Sequence, residues 1–223
     1  MGTFLRSIGA EGLQDGLVAY FPMDEASGDP VDVISGDTMT KSGTAFTYES
    51  QLGTTGVNGI LMGAGSPFFS SDRIKHSGNN FTASWWFDNN GVAPTHGTQF
   101  FWIYTSASLR LNLHYRNTPS LSSYDGVSNV DYGNPTLYDD AAHNIVFSGG
   151  GSGSFFVFVD GIYIGTVNVA NKFPESMDTF AIGQGIQGVY GQLGVWDRSL
   201  TRAEIVQIYN SGSPIDLVTE IVI

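Results

Sequence analysis

The sequence predicts an all-β protein built as two stacked antiparallel sheets, with one short helix near the C-terminus. Short runs of alternating apolar and polar residues, bounded by Gly, Asn, Asp and Ser, recur along the whole chain. Glycine makes up 29 of the 223 residues, about twice its usual share, which indicates many tight turns. Helical periodicity is nearly absent. Together these patterns favour a β-sandwich over any helical or α/β fold.

Eleven segments have the length and alternation of β-strands. The clearest local signal is the hairpin formed by 154–159 and 162–168. Asp160 and Gly161 lie between these two runs and can supply the positive φ angles of a type I′ turn. The predicted strands are 17–22, 45–49, 59–63, 81–88, 99–105, 109–115, 143–148, 154–159, 162–168, 179–183 and 190–196.

A single helix is predicted to begin after Thr201. Thr201 and Glu204 have the spacing of a capping box, in which each side chain bonds the other residue's free backbone amide. Leu200 can pack against Ile205 as a hydrophobic staple, and Gly212 is suited to end the helix after about three turns. We expect this helix to lie on the edge of the sandwich.

Both chain ends lie outside this pattern. We divide the chain into an N-terminal arm at 1–14, a sandwich domain at 15–212 and a C-terminal strand or tail at 213–223. After Pro214 the tail is predicted to be an apolar strand, which either packs on its own sheet or pairs with a neighbouring subunit. The residues expected to act in such an assembly are Ile215, Leu217, Ile221 and Ile223.

Charge and composition exclude several classes of function. Nine Lys and Arg against 21 Asp and Glu give a net charge of −12, which argues against binding to nucleic acid or to anionic membranes. There is no cysteine, so disulfides and thiol chemistry are excluded. We recognise no signal peptide and no apolar run long enough to span a membrane. The expectation is a chain made in the cytoplasm without membrane insertion.

Several segments, taken in order, resemble the laminin G-like, concanavalin A-like lectin/glucanase superfamily. Residues 16–28 (GLVAYFPMDEASG) are similar to its first strand, and 81–86 (FTASWW) resemble its central strand. Residues 143–161 resemble its hairpin ending in Val-Asp-Gly, and 194–212 its closing strand and helix. The resemblance implies a concanavalin A-like jelly roll over about 16–212. It says little about function, because this fold supports many activities.

An acidic loop is the best candidate for a metal site. Residues 24–37 contain five carboxylates and neither Lys nor Arg, and oxygen-rich clusters suit Ca²⁺. The family resemblance supports a calcium site, whose ligands would be Asp24, Asp29 and Asp32. Gly191-Gln192-Leu193 stands where the family's closing strand usually brings one more acidic residue. The alternative is a solvated acidic turn without metal. No other cofactor is indicated.

The sequence argues against glycoside hydrolysis. Retaining glycosidases need two carboxylates about 5 to 5.5 Å apart, and the superfamily's glucanases place glutamates close together in one strand. Here no two glutamates are closer than 14 positions. The six are Glu11, Glu25, Glu49, Glu175, Glu204 and Glu220.

Aromatic residues are the remaining candidates for contact with a glycan or a protein partner. Trp85 and Trp86 are adjacent in a predicted strand, so they must face opposite sides of the sheet. An exposed Trp can stack on a sugar ring or anchor a protein partner, although cover by a loop or a second copy is the alternative. The residues expected to contact a glycan or partner are Trp85, Trp102, Tyr104 and Tyr115.

Three functions remain. The first is a non-catalytic structural or adhesion module on the surface of a bacteriophage virion, as a capsid decoration or tail-associated protein that docks on other virion proteins or on copies of itself. The second is a lectin-like module that binds cell-surface glycans, with Ca²⁺ as a candidate cofactor. The third, a remote alternative, is a glycoside hydrolase.

Overall fold

A computed structural model of the chain describes residues 12–42, 46–49, 52, 55, 57–62, 68–71, 78, 80–92, 99–106, 109–117, 120–124, 128–133, 137–151, 153–168, 179–185 and 187–218. These residues contain fifteen strands and one α-helix, α1 (Arg202–Tyr209). The strands are β1 (Leu17–Phe21), β2 (Thr40–Ser42), β3 (Thr47–Glu49), β4 (Gly59–Met62), β5 (Phe68–Ser71), β6 (Thr82–Asp88), β7 (Gln99–Ser106), β8 (Leu109–Asn117), β9 (Ser120–Tyr124), β10 (Asn129–Asp131), β11 (His143–Gly149), β12 (Ser154–Val159), β13 (Ile162–Asn168), β14 (Thr179–Gln184) and β15 (Gly188–Trp196).

The strands form two antiparallel sheets. The eight-stranded sheet has the order β13-β12-β11-β6-β15-β4-β3, and β1 pairs with the far end of β15. The seven-stranded sheet has the order β10-β9-β8-β7-β14-β5-β2. A bulge between Gly191 and Gly194 in β15 separates the part that pairs with β4 from the part that pairs with β1. This arrangement confirms the predicted two-sheet antiparallel jelly-roll sandwich.

The main core lies between the two sheets. In β6, Ala83, Trp85 and Phe87 alternate toward it, and each is fully buried. Aromatic side chains fill much of the layer: Phe87 makes edge contacts with Phe100 and Tyr190 at ring distances of 4.8 and 5.1 Å. Burial of such large apolar side chains is the main source of stability in a sandwich of this size.

The outer face of the eight-stranded sheet is also covered. Helix α1 and the segments at 12–16 and 213–218 lie on it, and Leu13, Trp196 and Leu217 belong to one buried cluster there. The indole Nε1 of Trp196 donates a 2.6 Å hydrogen bond to the carbonyl of Leu13. All seven residues of β6 are buried as a result, because both faces of this strand are packed.

Most predicted elements are confirmed. Each of the eleven predicted strands has a counterpart, and the four that the sequence did not indicate are β2, β5, β9 and β10. Asp160 and Gly161 have φ angles of 53° and 72°, as a type I′ turn requires. The capping box of Thr201 and Glu204 is present in full.

The C-terminal segment differs from the predicted strand. Residues 213–216 are irregular and 217–218 form a turn. Leu217 is 3% exposed and Ile215 packs against the same buried cluster, so these two side chains serve the protein's own fold. This corrects the expectation that they are free to pair with a neighbouring subunit. The other two assembly residues, Ile221 and Ile223, lie outside the described residues.

Candidate functional site

The loop after β1 is held at both ends and exposed in the middle. Met23 and Pro30 are buried, while residues 24–29 are exposed or half-buried between them. The Glu25 Oε1 atom accepts a 2.7 Å hydrogen bond from the amide of Val31, which closes the loop on itself. We call residues 24–29 the acidic loop from here on.

Asp32 supports the fold at the base of this loop. Its side chain is 3% exposed. Its Oδ1 atom accepts hydrogen bonds from the amides of Tyr20 at 2.8 Å and Ile34 at 3.0 Å. Its Oδ2 atom accepts from the Ser35 hydroxyl at 2.7 Å and from the Ser35 amide at 3.3 Å. The carboxylate is thus already satisfied by the protein's own donors.

The predicted calcium set is therefore not brought together. Asp24 and Asp29 are both exposed and line two different depressions, and Asp32 lies beneath the loop. Among the described residues, no group of three His, Asp or Glu side chains is placed to hold a metal ion. The donor set does not fit Ca²⁺, because this ion needs about six to eight oxygens that converge on one point and these three carboxylates do not converge.

The first depression is a polar pocket of about 260 Å³. Gln192 reaches it from the β15 bulge, where a φ of 46° places the backbone in the left-handed region. Tyr20 lies at its base, and burial first, then the charge of Asp216, raises the pKa of its hydroxyl. The lining residues are Tyr20, Pro22, Asp24, Val57, Asn58, Gln192 and Asp216.

The second depression, which we call the aromatic cleft, lies between the acidic loop and β3 and has a volume of about 430 Å³. Phe46 and Tyr48 meet edge to face, with ring centroids 5.5 Å apart and an angle of 80° between the planes. The Tyr48 hydroxyl donates a 3.1 Å hydrogen bond to the carbonyl of Gly28 across the cleft. The cleft is lined by Ala26, Ser27, Gly28, Asp29, Phe46, Thr47 and Tyr48.

Carboxylates dominate the charge around this cleft. Burial, then the charge of Glu25 and its hydrogen bond with the Tyr48 hydroxyl, and then the charges of Asp29 and Asp24, raise the pKa of that hydroxyl well above its ordinary value. The second oxygen of Glu25, Oε2, is buried and has no hydrogen-bond partner within the described part of the chain. None of the seven lining residues is basic. The cleft therefore combines two ring surfaces with a negative potential.

The two adjacent tryptophans of β6 face opposite sides of the sheet, as predicted. Trp85 is fully buried between the sheets, so it cannot stack on a ligand, and the expectation that it contacts a glycan or partner is wrong. Trp86 is 1% exposed on the outer face, where the ring of Tyr209 from α1 stacks on it.

The other predicted ligand residues lie in the seven-stranded sheet. Trp102 is half-buried and pairs with Asn112 on the face opposite the core. On this face the Asn112 Oδ1 and Ser122 Oγ atoms are buried and have no hydrogen-bond partner among the described residues. Tyr104 lies in β7 and Tyr115 in β8, but their side chains lie outside the described residues. The role of Trp102, Tyr104 and Tyr115 in binding stays a prediction.

Phe46 and Tyr48 are not among the ligand residues predicted from the sequence. A pattern that indicates them is present, because both lie in the predicted strand 45–49 at positions two apart, which places them on one face. What the sequence could not show is that the acidic loop, about twenty positions earlier, forms the opposite wall.

No family model and no curated protein matches this chain. Solved structures do resemble it. One is domain 4 of AbnA, a GH43 extracellular arabinanase from Geobacillus stearothermophilus, solved in complex with arabinotriose. The match has a TM-score of 0.66 and 16% identity, and it covers 86% of this chain and 98% of that one.

Two toxin domains also resemble the chain. For the binding domain of Paraclostridial Mosquitocidal Protein 1 the TM-score is 0.65 at 12% identity, covering 90% of this chain and 53% of that one. The botulinum neurotoxin serotype D ligand binding domain, in complex with N-acetylneuraminic acid, matches with a TM-score of 0.62 and 14% identity. This match covers 89% of this chain and 51% of that one. The chain thus spans about half the length of these toxin domains. At such identities the likeness establishes a shared β-sandwich fold.

The single α-helix in the described part has eight residues, too few to cross a membrane.

Proposed function

We propose that this protein is a non-catalytic carbohydrate-binding module and that the aromatic cleft is its binding site. The observation that carries the proposal is the pair of rings, Phe46 and Tyr48, set against a polar loop in an open cleft of about 430 Å³. Sugars present apolar C–H faces and hydroxyl edges, so a site that recognises them combines aromatic surface with hydrogen-bonding groups.

The lining of the cleft suits this chemistry. The hydroxyls of Ser27 and Thr47 can donate to or accept from sugar hydroxyls, and the carboxylate of Asp29 can accept two hydrogen bonds. The volume lies in the range of pockets that hold one small ligand, which here corresponds to one or two sugar rings. The solved complexes of similar folds with arabinotriose and N-acetylneuraminic acid support a carbohydrate as the class of ligand.

The experiment is a glycan array followed by titration calorimetry on the best ligand. Tyr48→Ala is expected to weaken binding by about five- to tenfold, because a stacked ring contributes about 1 to 1.5 kcal/mol to binding. Tyr163→Ala is the matched control, since Tyr163 is 49% exposed on β13 and does not line the cleft. Full affinity in Tyr48→Ala, or loss of binding in Trp102→Ala alone, would place the site elsewhere.

The proposal of a non-catalytic role has its own test. Asp24 and Asp216 line the polar pocket together, and a pair of carboxylates is what a glycoside hydrolase would need. We expect the bound oligosaccharide to be recovered at unchanged length after prolonged incubation. Shortened products that disappear in Asp216→Asn would identify a hydrolase instead.

We propose as a second function that the module docks on the surface of an assembly such as a phage virion, as a capsid decoration or tail-associated protein. Supporting this is an exposed aromatic pair on the outer face of β12 and β13: Tyr163 is 49% and Phe156 39% exposed, and their ring centroids lie 6.4 Å apart. Exposed apolar side chains that lie together often mark protein contacts. Sizing chromatography tests self-association, and Phe156→Asp should abolish it. A monomer at every concentration that also fails to sediment with particles would contradict this function.

A further inference from the structure

The charge of the aromatic cleft indicates which carbohydrates it accepts, and this inference rests on the proposed function. Asp29 is exposed on the wall of the cleft, and Glu25 and Asp24 belong to the same acidic loop. Because none of the described residues that line the cleft is basic, no cation among them neutralises these carboxylates. A ligand that enters meets an uncompensated negative potential beside two aromatic rings.

Such a potential discriminates strongly between classes of sugar. An anionic sugar, such as a uronate, would bring like charges together in a partly desolvated site, which is unfavourable. A neutral sugar gains only hydrogen bonds and stacking. A sugar that carries a protonated amino group gains in addition an ion pair with a carboxylate and a cation–π contact with a ring face.

We propose that the aromatic cleft selects glycans that carry free amino groups, with Asp29 as the residue that recognises the ammonium and Tyr48 and Phe46 as the surfaces that hold the ring. The carboxylate of Glu25, whose charge also acts on the Tyr48 hydroxyl, adds to the negative potential beside the ring. The Tyr48–Gly28 hydrogen bond holds the ring at the mouth of the cleft, so the ammonium and the ring are recognised together.

The test compares three oligosaccharides of equal length: a β-1,4-linked glucosamine oligomer, its N-acetylated counterpart and a uronate oligomer. Titration calorimetry is done near pH 6, below the ordinary amine pKa of about 7.7 to 8, so that the amino groups are charged. We expect the glucosamine oligomer to bind roughly fivefold more tightly than the acetylated one, the uronate not to bind, and the preference to shrink at high salt.

Two variants test whether Asp29 is the source of the preference for free amino groups. Asp29→Asn should remove most of the preference for the free amine while keeping the acetylated oligomer's affinity, since the side chain is exposed and keeps its shape. Asp131→Asn makes the same change of charge on the remote strand β10 and should leave the preference intact. Thermal unfolding confirms that each variant is folded.

The outcomes separate the two levels of the proposal. If no glycan of any class binds, the proposed function is wrong. If the acetylated or uronate oligomer binds as tightly as the free amine, carbohydrate binding stands and the amine selectivity is wrong. A preference that is insensitive to salt, or unchanged in Asp29→Asn, also overturns the selectivity.

Discussion

The imidazole of His143 lies 2.7 Å from the carboxylate of Asp160, from Nδ1 to Oδ2. This contact joins the start of β11 to the turn between β12 and β13. The other oxygen of Asp160 accepts a 2.9 Å hydrogen bond from the amide of Asn144. On the opposite side of the ring, Nε2 lies 2.8 Å from the Asp139 carboxylate. One buried histidine therefore connects the start of β11, the turn between β12 and β13, and the loop that precedes β11.

This arrangement makes stability depend on pH. Burial alone would lower the pKa of His143, but the hydrogen bonds and charges of Asp160 and Asp139 outweigh burial and raise it above 6.5. The stabilisation is thus complete below about pH 6.5 and is lost as pH rises through the folded-state pKa. The pKa of Asp139 is lowered from 3.8 by the hydrogen bond with His143, so its part is lost only in stronger acid.

We predict that His143→Gln lowers the free energy of unfolding by about 1 to 3 kcal/mol near pH 5.5, and by less at pH 8. Denaturant unfolding of both proteins across this range gives the difference directly, and titrations elsewhere in the chain cancel. A difference that is constant with pH would show that the charged imidazole is not what stabilises the contact.

Asp32→Ala should destabilise the protein by about 2 to 4 kcal/mol, because the buried amide of Tyr20 loses its acceptor along with three further hydrogen bonds. Asp32→Asn keeps one acceptor oxygen and is expected to cost less. Thermal unfolding of the two variants measures this order. Equal losses would mean that the negative charge, rather than the acceptor geometry, is what the loop needs.

Removal of calcium should have no effect on stability or glycan affinity, since Asp24, Asp29 and Asp32 do not converge. The comparison is thermal unfolding and calorimetry with added Ca²⁺ and with EDTA. A rise in unfolding temperature that saturates with Ca²⁺ would contradict the geometry of the described residues.

The Arg198 guanidinium binds the Glu204 carboxylate with two hydrogen bonds, at 2.6 and 3.1 Å, and donates to the carbonyls of Gly12 and Asp15. The bond from Arg198 is the main cause that lowers the pKa of Glu204 from 4.5 to about 2. Its stabilising contribution is therefore present above pH 4.5 and is lost as pH falls through about 2.

We predict that Arg198→Ala lowers stability by about 2 kcal/mol at neutral pH and exposes residues 12–16 to hydrogen exchange. Arg198→Lys, which keeps the charge but cannot form the paired bonds, should recover less than half of the loss. Glu204→Gln should reduce the loss of stability that the wild type shows between neutral pH and about pH 2, because the titration of Glu204 is removed. Unchanged exchange at 12–16 would contradict the linking role of Arg198.

The ring of Tyr209 stacks on Trp86, with centroids 6.2 Å apart and planes 24° from parallel. Tyr209→Ala should lower the free energy of unfolding by about 1 to 3 kcal/mol and increase the fluorescence change of Trp86 on adding a quencher. Tyr209→Phe retains the ring and should be nearly neutral. A large loss in Tyr209→Phe would show that the hydroxyl, rather than the stack, matters.

What could be predicted from the sequence is what depends on neighbours in the chain. The Thr201–Glu204 capping box and the Asp160–Gly161 turn are local, and both are found as predicted. The missed strands have polar or short sequences, such as SLSSY in β9 and NVD in β10. The strand conformation of β9 depends on pairing with β8, and that of β10 on pairing with β9, which no local pattern reveals.

The candidate site could be predicted only in part for the same reason. Alternation placed Trp85 and Trp86 on opposite faces, but it could not show that α1 covers the outer one. The run of carboxylates after β1 is visible in the composition of the sequence, and such a run predicts a Ca²⁺ site. The structure instead uses Asp32 for backbone amides and leaves Asp29 beside Tyr48, a grouping that requires the tertiary fold.

The buried residues Met23 and Pro30 fix both ends of the acidic loop, so exposed residues between them can be substituted without changing the fold. Changes at positions 26, 27 and 29 alter the wall of the cleft without reaching the packed interior, so they carry little risk of misfolding. Glu25, which closes the loop through Val31, and Gly28, whose φ is 93°, are the positions to keep. The three exchangeable positions are therefore the natural place to randomise when new binders are selected on this scaffold.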